Sequence, residues 1–216
     1  MSARSDATER GAFVALEGLD GSGKSSQIRL LSKRLRDRGL PVHETREPTS
    51  GPIGSVIHQM MTGRIAPNDP TIAALFVADR LDHLSNPIDG MAKLVSRGVN
   101  VLTDRYYFSS YAYHSLHVPL EWVIAANSLC AEILRPDVSV FLDVPVSECV
   151  RRIHLERLHL ELYETEKTMV HVRRRYFEAF EALSGEENVE IVDGSGSEEE
   201  VAERLWTAIS PLLGAG

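Results

Sequence analysis

Cysteine is scarce in this sequence. The 216 residues include two cysteines, Cys130 and Cys149, whose spacing matches neither a Cys-x-x-Cys pair nor a zinc-binding pattern. We therefore expect no disulfide framework, and we expect both side chains to be small buried apolar groups in a reducing compartment. A chain of this length buries roughly 70% of the surface that its unfolded form exposes, so neither a disulfide nor a metal is needed for stability.

Basic residues and long apolar segments are also few. Lys and Arg total 23 against 31 Asp and Glu, a net charge of -8, which argues against binding to nucleic acid, although a local arginine cluster could still bind a small anion. No segment approaches the ~20 apolar residues of a membrane span. Residues 1–10 are polar and lack the apolar core of a signal peptide. We expect a disordered leader over 1–10, one domain over 11–216, a cytoplasmic location and no membrane partner.

Strand and helix patterns alternate along the chain. Short apolar runs predict five strands, at residues 12–17, 41–45, 99–103, 138–144 and 189–192. Helical patterns cover residues 24–38, 52–61, 70–97, 111–134 with a break at Pro119, 147–162, 164–183 and 198–213. This alternation predicts an α/β fold, in which helices cover both faces of a five-stranded parallel sheet.

A glycine-rich segment follows the first predicted strand and opens the first predicted helix. Residues 18–25, GLDGSGKS, match the phosphate-binding loop pattern G-x-x-x-x-G-K-[ST]. The backbone N–H groups of such a loop bind phosphate oxygens, Lys24 would reach the β- and γ-phosphates, and the Ser25 hydroxyl would bind Mg²⁺. A glycine-rich turn without a ligand is the alternative. The candidate ATP-binding residues here are Gly18, Leu19, Asp20, Gly21, Ser22, Gly23, Lys24, Ser25 and Ser26.

Three further clusters carry paired charges, and each alone is also typical of a surface ion pair. They are Arg46-Glu47, Asp79-Arg80 and Asp104-Arg105. The first and third follow predicted strands, and ligands bind at the carboxyl ends of strands in open parallel sheets. Together with the loop, the clusters predict a second anion site and therefore a kinase that acts on a phosphorylated small molecule.

The set GLDGSGKS, TREP, LFVADR, TDRYYFSSYAY and ELYE resembles the motifs of thymidylate kinases in order and spacing. The resemblance covers about residues 11–213. It implies a P-loop kinase that transfers the γ-phosphoryl group of ATP to dTMP, giving dTDP for dTTP synthesis, with Mg²⁺ and as a homodimer. Three alternatives stay open: another P-loop deoxynucleoside or nucleotide kinase, a family member that only binds nucleotide, and a non-catalytic nucleotide switch or assembly ATPase.

The resemblance also implies roles at the acceptor site. Asp20 matches the carboxylate that holds the 3′-hydroxyl of dTMP, with a charge interaction at a helix N-terminus as the alternative. Arg46 and Arg105 match the arginines that clamp the dTMP phosphate, for which a guanidinium fork is well suited. Phe76 matches the ring that stacks on thymine, or else packs in the core. Arg80 matches the arginine that bonds the carbonyl at position 4 and so rejects cytosine.

Further residues match positions of the same family for which more than one role stays open. Ser109 matches a contact to the edge of the base, or a cap or turn. Tyr113 and Tyr163 match aromatic residues that limit the sugar pocket, Tyr163 near the 2′-carbon, with core packing as the alternative for each. Asp104 matches an acidic residue that either binds the metal through water or orients Arg105. His114 replaces a common glutamine and is expected to be a neutral polar substitute, because phosphoryl transfer between phosphates needs no strong base.

Gly21 places the chain among the thymidylate kinases whose catalytic arginine comes from a mobile helical lid. The lid would cover residues 151–163, with Arg151, Arg152 and Arg157 as candidates for the arginine. Arg157 is the aligned one, and Arg152 is the reserve candidate and a further expected ATP contact. Leu162 stands where an arginine is often found, so one phosphate contact is expected to be missing. The implied catalytic residues are Lys24, Asp104, Arg105 and Arg157.

Overall fold

A five-stranded parallel sheet lies at the centre of the computed structural model, which describes residues 10–66, 68–156 and 165–213. The strands run in the order β2-β3-β1-β4-β5, and each neighbouring pair is parallel. Their bounds are β1 Phe13–Gly18, β2 Val42–Arg46, β3 Asn100–Asp104, β4 Val138–Asp143 and β5 Val189–Asp193. The predicted fold class is confirmed, and each predicted strand lies within one residue of its observed bounds.

Nine helices are found in the described part of the chain. They are α1 Lys24–Asp37, α2 Pro52–Met61, α3 Asp69–Ser85, α4 Met91–Ser96, α5 Tyr107–His114, α6 Leu120–Ile133, α7 Val146–Glu156, α8 Glu166–Ala182 and α9 Glu198–Ile209. A short 3₁₀ turn at Ser210–Leu212 follows the last helix. None of the helices within the described ranges has the length and apolar character needed to cross a bilayer.

Both faces of the sheet are covered because neighbouring side chains of a strand point to opposite sides. In β1, Phe13 and Ala15 belong to a core with residues of α5, α6 and α8, whereas Val14 and Leu16 belong to a second core. That second core includes Leu31 of α1, among the residues of α1 and α9. Burying one such aliphatic side chain contributes about 1.5–3 kcal/mol, so the apolar pattern of β1 accounts for the central position of this strand.

The helix predicted over 70–97 is wrong as a single element. It is divided into α3 and α4 by residues 86–90. Asn86 has φ -53° and ψ 128°, outside the helical region, because the ring of the following Pro87 disfavours a helical conformation in the residue before it. Pro87 also has no N–H to continue the helical hydrogen bonds. The predicted break near Pro119 is confirmed by the gap between α5 and α6.

The start predicted for α5, Tyr111, is four residues too late. The helix begins at Tyr107 because a distant carboxylate caps it. Oε1 of Glu17, at the end of β1, accepts the backbone N–H of Tyr106 at 2.9 Å and that of Ser109 at 3.2 Å. The first N–H groups of a helix lack a carbonyl one turn earlier to receive them, and Glu17 accepts two of those at this start, although the Ser109 N–H also donates to the carbonyl oxygen of Tyr106 at 3.1 Å. No capping signal stands in the local sequence, so only packing of β1 against α5 could reveal this start.

Several predictions concern residues outside the described ranges. These are the leader residues 1–9, the lid residues 157–163 and, within the lid, Arg157, Leu162 and Tyr163. The helix predicted over 147–162 is described over Val146–Glu156 as α7, and its remaining residues lie outside the described ranges. Arg10, assigned to the leader, donates two hydrogen bonds to the Asp137 carboxylate at 2.7 and 2.9 Å.

Candidate active site

The loop between β1 and α1 depends on glycine for its backbone conformation. Gly18, Gly21 and Gly23 have φ values of 147°, 74° and 95°, a region that side chains with a Cβ rarely adopt. At Gly21, a Cβ would also lie 2.5 Å from the carbonyl oxygen of Cys149 in α7. An arginine therefore cannot replace Gly21 unless α7 moves, which is a steric reason for seeking the catalytic cation elsewhere.

Lys24 is buried beneath the loop and is held by backbone carbonyls. Its Nζ donates to the oxygens of Gly18 at 3.2 Å and Leu19 at 2.8 Å. Burial and the nearby charge of Arg105 lower the pKa of Lys24. The nearby carboxylates of Asp104, Asp20 and Glu17 act in the opposite direction. Lys24 lies beneath the loop, where the motif predicts its contact with a bound phosphate.

Ser25 and Asp104 meet at the same end of the sheet. The Ser25 hydroxyl donates to Oδ2 of Asp104 at 2.5 Å. The expected alternative for Asp104 was orientation of Arg105, but the hydrogen bonds of the Arg105 guanidinium go to other groups, described below. The observed contact places a hydroxyl and a carboxylate oxygen together beside the phosphate-binding loop.

A polar cavity of about 580 Å³ opens above the loop. It is lined by the loop, by Arg46 and Arg105, and by side chains of α7. All candidate ATP-binding residues from Asp20 to Ser26 line it, and so does Arg152. Gly18 and Leu19 lie below the loop and contribute their carbonyl groups to Lys24.

The loop after β5 also lines this cavity, and its role was missed from the sequence. Gly194, Gly196, Ser197 and Glu198 are the residues involved. Ser197 caps α9 by accepting the backbone N–H of Glu200 at 3.2 Å, and the Glu200 carboxylate accepts the backbone N–H of Ser197 in return. The sequence signal for this role is the place of the Gly-Ser-rich stretch at the carboxyl end of β5.

Two neighbouring arginines of α7 share one carboxylate. Arg151 and Arg152 both hydrogen-bond Glu148 at 2.7–2.8 Å. The Arg151 side chain is 60% exposed, whereas that of Arg152 is 27% exposed and its Nη1 reaches the carbonyl oxygen of Gly21 at 3.4 Å. Arg152 is therefore the α7 arginine in contact with the phosphate-binding loop.

Asp20 and Arg105 form the centre of the site. Nη2 of Arg105 lies 2.6 Å from Oδ1 of Asp20, and the Tyr113 hydroxyl donates to Oδ2 at 2.9 Å. Burial alone would raise the pKa of Asp20, but the charges of Arg105 and Lys24 outweigh it and lower the pKa to about 2. Asp20 is consequently an anion at neutral pH, held between two cations.

Arg105 reaches this position through an unusual backbone conformation. Its φ is 74°, the one positive value among the non-glycine residues described, and such values in non-glycine residues are uncommon. The backbone N–H of Arg105 donates to Leu16 at 2.9 Å, which ties the residue to β1. The expected Arg105 thus occupies a constrained turn directly after β3.

A buried hydrogen-bond network supports Arg105 from below. Nη1 of Arg105 donates to the Ser109 hydroxyl at 3.0 Å, and Ser109 donates to Oε2 of Glu17 at 2.6 Å. Tyr176 of α8 donates to the same Glu17 oxygen at 3.0 Å. Burial raises the pKa of Glu17 above its usual range, although these donors act in the opposite direction. Glu17 was missed, and its only sequence signal was a charged residue at the end of an apolar strand.

A smaller cavity of about 60 Å³ lies on the other side of Asp20 and Arg105. Phe76, Arg80, Ser109 and Tyr113 all line it, as their matches to the family imply. His114 lines it too, with its ring 4.9 Å from that of Phe76. Arg46 does not line this cavity and faces the larger one. The expected acceptor residues within the described ranges are therefore divided between two adjoining cavities.

Arg80 and Glu47 form a buried pair, so the interpretation of their clusters as surface ion pairs is wrong for these residues. Nη2 of Arg80 lies 2.6 Å from Oε2 of Glu47, and both side chains are at most 2% exposed. Nη1 of Arg80 donates to Ser110 at 3.1 Å and to the amide oxygen of Asn127. Burial lowers the pKa of Arg80, but the Glu47 charge outweighs it and the net shift is upward.

The other charged residue of the Asp79-Arg80 cluster in α3 holds the segment that follows β2. Asp79 accepts the backbone N–H of Thr49 at 2.8 Å and its hydroxyl at 2.6 Å. The segment from Arg46 to Thr49, which includes a cis peptide bond between Glu47 and Pro48, is therefore fastened to α3 at two points. Arg80 therefore holds Glu47 of the TREP motif, and Asp79 holds Thr49 directly after it. The sequence of neither motif shows this contact between distant segments.

Comparison with known proteins agrees with this geometry. A family model described as thymidylate kinase matches residues 16–205. A probable thymidylate kinase of Pyrobaculum aerophilum is 40% identical over 194 residues, covering 88% of this chain and 92% of that protein. One of Pyrococcus horikoshii is 36% identical over 178 residues, covering 80% and 84%. A thymidylate kinase of Rhodopseudomonas palustris is 33% identical over 207 residues, covering 93% and 89%. Since the family model spans most of the chain and these relatives align over most of their length, the chain belongs to the thymidylate kinase family of ATP-dependent kinases.

Proposed function

We propose that this protein transfers the γ-phosphoryl group of ATP to dTMP, giving dTDP. The observation that carries the proposal is the junction of two cavities at Asp20 and Arg105. The large polar cavity contains the phosphate-binding loop, and the small one combines an aromatic ring with a buried arginine. A nucleoside triphosphate in the first and a pyrimidine base in the second would bring their phosphates together between the two.

Catalysis would consist of positioning two anions in line and neutralising their charge. Lys24 would contact the transferred phosphoryl group, and Arg46 and Arg105 would clamp the dTMP phosphate. The position of Arg105 in the turn after β3, with a φ of 74°, supports this role, because Arg105 lines both cavities from there. Arg46 has no ion-pair partner among the residues described, so its charge is available to an anionic ligand.

Thymine would occupy the small cavity. Phe76 would stack on the base, and Arg80 would donate to the carbonyl at position 4. Ser109 and Tyr113 would complete the wall, with the Tyr113 hydroxyl and Asp20 near the sugar. The hydrogen bond between Tyr113 and Asp20 supports this arrangement, since it places a carboxylate oxygen where a sugar hydroxyl could donate to it.

Mg²⁺ would be held by Ser25 together with Asp104. Their hydrogen bond of 2.5 Å supports this assignment, since it brings a hydroxyl and a carboxylate oxygen together beside the loop, and oxygen donors are the ligands that Mg²⁺ prefers. When bound, the ion would neutralise charge on the β- and γ-phosphates. Arg157 and Tyr163 remain part of the proposal as the lid arginine and the residue that excludes a ribose 2′-hydroxyl.

Two copies of the chain would form a homodimer through α6. Trp122, Leu129 and Ile133 are 42%, 52% and 36% exposed, and their spacing of seven and four residues places them on one side of the helix. A second copy of this chain would remove that apolar stripe from water. Light scattering should give a mass of about 48 kDa for the wild type, twice the 24.0 kDa of one chain, and about half of that value for Leu129→Glu.

A coupled assay of ADP release tests the activity directly. The purified protein is assayed with ATP, Mg²⁺ and each of dTMP, dUMP, dCMP, dAMP, dGMP and thymidine. We expect dTMP to give the highest kcat/KM and chelation of Mg²⁺ to abolish the rate. Faster phosphorylation of dCMP or thymidine would contradict the proposal, and ADP release that no acceptor stimulates would indicate a nucleotide switch instead.

A further inference from the structure

Glu47 lies in the lining of both the large and the small cavity. It follows Arg46, which faces the large cavity, and its backbone N–H donates to the carbonyl oxygen of Asp104 at 3.0 Å. Its side chain turns inward and is 2% exposed. Burial of a carboxylate is unfavourable unless the group is paired and hydrogen-bonded. The contacts that compensate for the burial of Glu47 therefore indicate its role.

The carboxylate uses each of its oxygens for a different partner. Oε2 accepts Nε of Arg80 at 2.7 Å and lies 2.6 Å from Nη2 of the same guanidinium. Oε1 lies 3.2 Å from Nδ1 of His83, whose Nε2 is 2.6 Å from the Thr45 hydroxyl. Thr45, His83 and Glu47 thus form a chain that ends on Arg80 and fixes the position of the carboxylate.

The orientation of the Arg80 guanidinium follows from this chain. An arginine has five N–H donors. The one on Nε donates to Oε2 of Glu47, from which Nη2 lies 2.6 Å away, and the two on Nη1 serve Ser110 and Asn127. Nη2 has no further partner among the residues described. Because Arg80 also lines the small cavity, Nη2 is the donor that a base carbonyl could use.

We propose that Glu47 is a positioning residue that holds Arg80 in the orientation needed to discriminate thymine from cytosine. The inference rests on the proposed function and assigns to Glu47 a role in base selection. Glu47 itself contacts neither ATP nor the base in this proposal. It acts through Arg80, so its removal should change the preference for the base without changing the use of ATP.

The test compares Glu47→Gln with Asp79→Asn. Both changes remove one buried carboxylate that fastens the segment from Arg46 to Thr49, but only Glu47 contacts Arg80. Binding of dTMP and dCMP is measured by calorimetry, and KM and kcat for dTMP and ATP by the coupled assay. We expect Glu47→Gln to lower the dTMP preference about tenfold, as for loss of a hydrogen bond to a charged group. The change should come mainly from KM for dTMP, with KM for ATP within about twofold, whereas Asp79→Asn keeps the preference.

A double-mutant cycle shows whether Glu47 acts through Arg80. In the Arg80→Ala background, Glu47→Gln should cause no further loss of preference, because the group that it positions is already absent. The double variant contains no buried unpaired charge, so it keeps the test usable if Glu47→Gln alone does not fold. A further loss of preference in the double variant would overturn the inference.

The outcomes separate this inference from the proposed function. A wild-type protein without preference for dTMP over dCMP contradicts the proposed function, and with it the basis of the inference. A wild-type preference that is lost in Arg80→Ala but retained in Glu47→Gln overturns the inference alone. The inference is also overturned if Asp79→Asn loses the preference as strongly as Glu47→Gln, since loop fastening would then explain both.

Discussion

Asp20 and Arg105 pair at 2.6 Å across the boundary between the two cavities. Their side chains come from the phosphate-binding loop and from the turn after β3, so the pair joins the site of the donor to the site of the acceptor. Arg105 therefore has an internal anion before any substrate arrives. A phosphate that binds to Arg105 must share the guanidinium with Asp20 and with the other groups that its Nη1 and Nη2 contact.

The first prediction concerns Asp20→Asn. Loss of the carboxylate should raise KM for dTMP about ten- to a hundredfold, because a hydrogen bond from the sugar to a charged group is lost. The 3′-deoxy analogue of dTMP cannot make this bond, so its KM should change little. Steady-state kinetics with both acceptors checks this, with Asp37→Asn as an exposed control. An equal effect on the two acceptors would show that Asp20 does not contact the 3′-hydroxyl.

The second prediction compares two glycines with the same φ of 74°. Gly39 has no atom within 4 Å of an added Cβ, whereas at Gly21 the Cβ would meet the Cys149 carbonyl at 2.5 Å. Gly39→Ala should cost about 1–2 kcal/mol of unfolding free energy from the backbone conformation alone. Gly21→Ala should cost about 1–3 kcal/mol more because of the clash. Urea denaturation measures both, and equal losses would mean that α7 yields freely.

The third prediction concerns the two arginines of α7. Arg152→Ala should raise KM for ATP about tenfold, because its guanidinium lies against the phosphate-binding loop and can form a charge-assisted bond to the nucleotide. Arg151→Ala is the matched control. It shares Glu148 but is more exposed, and it should change KM less than about threefold. Similar effects of the two substitutions would contradict the assignment of the ATP contact to Arg152.

The fourth prediction concerns His114 and acid. The side chain is 3% exposed, and burial together with the charges of Arg80 and His117 lowers its pKa to about 3. The unfolded chain binds this proton near pH 6.5. Between these values the unfolded state holds more protons than the folded state, so stability decreases as the pH falls. From pH 7.5 to pH 5 the loss from this group is about 2 kcal/mol.

Replacement of His114 tests this loss. His114→Gln should be less sensitive to acid than the wild type by about that amount, whereas His154→Gln, which changes an exposed side chain, should respond like the wild type. Urea denaturation at pH 7.5 and pH 5 gives the free energies. An unchanged acid response in His114→Gln would mean that the imidazole takes up its proton in the folded state at an ordinary pKa.

Much of the fold and part of the site could be predicted from local sequence. The apolar runs of the five strands and the glycine pattern of residues 18–25 act over a few neighbouring residues, so their meaning does not depend on the rest of the chain. The same holds for the helical pattern predicted over residues 24–38, where Ile28, Leu31 and Leu35 are on the buried side of α1. The residues Phe76, Arg80 and Tyr113 were found through resemblance to a family, since nothing in their immediate neighbours distinguishes them from core residues.

The sequence by itself determined the sheet, the phosphate-binding loop and the identity of the charged clusters. Only the tertiary structure decided which charges pair. Glu47 meets Arg80 from 33 positions away, and Glu17 caps α5 from 89 positions before Tyr106. Such pairs form because the packing of α3 and α5 against the sheet excludes water around them, and a carboxylate deprived of water must find a donor. Local sequence patterns do not record that environment, and it exists only once the helices are in place.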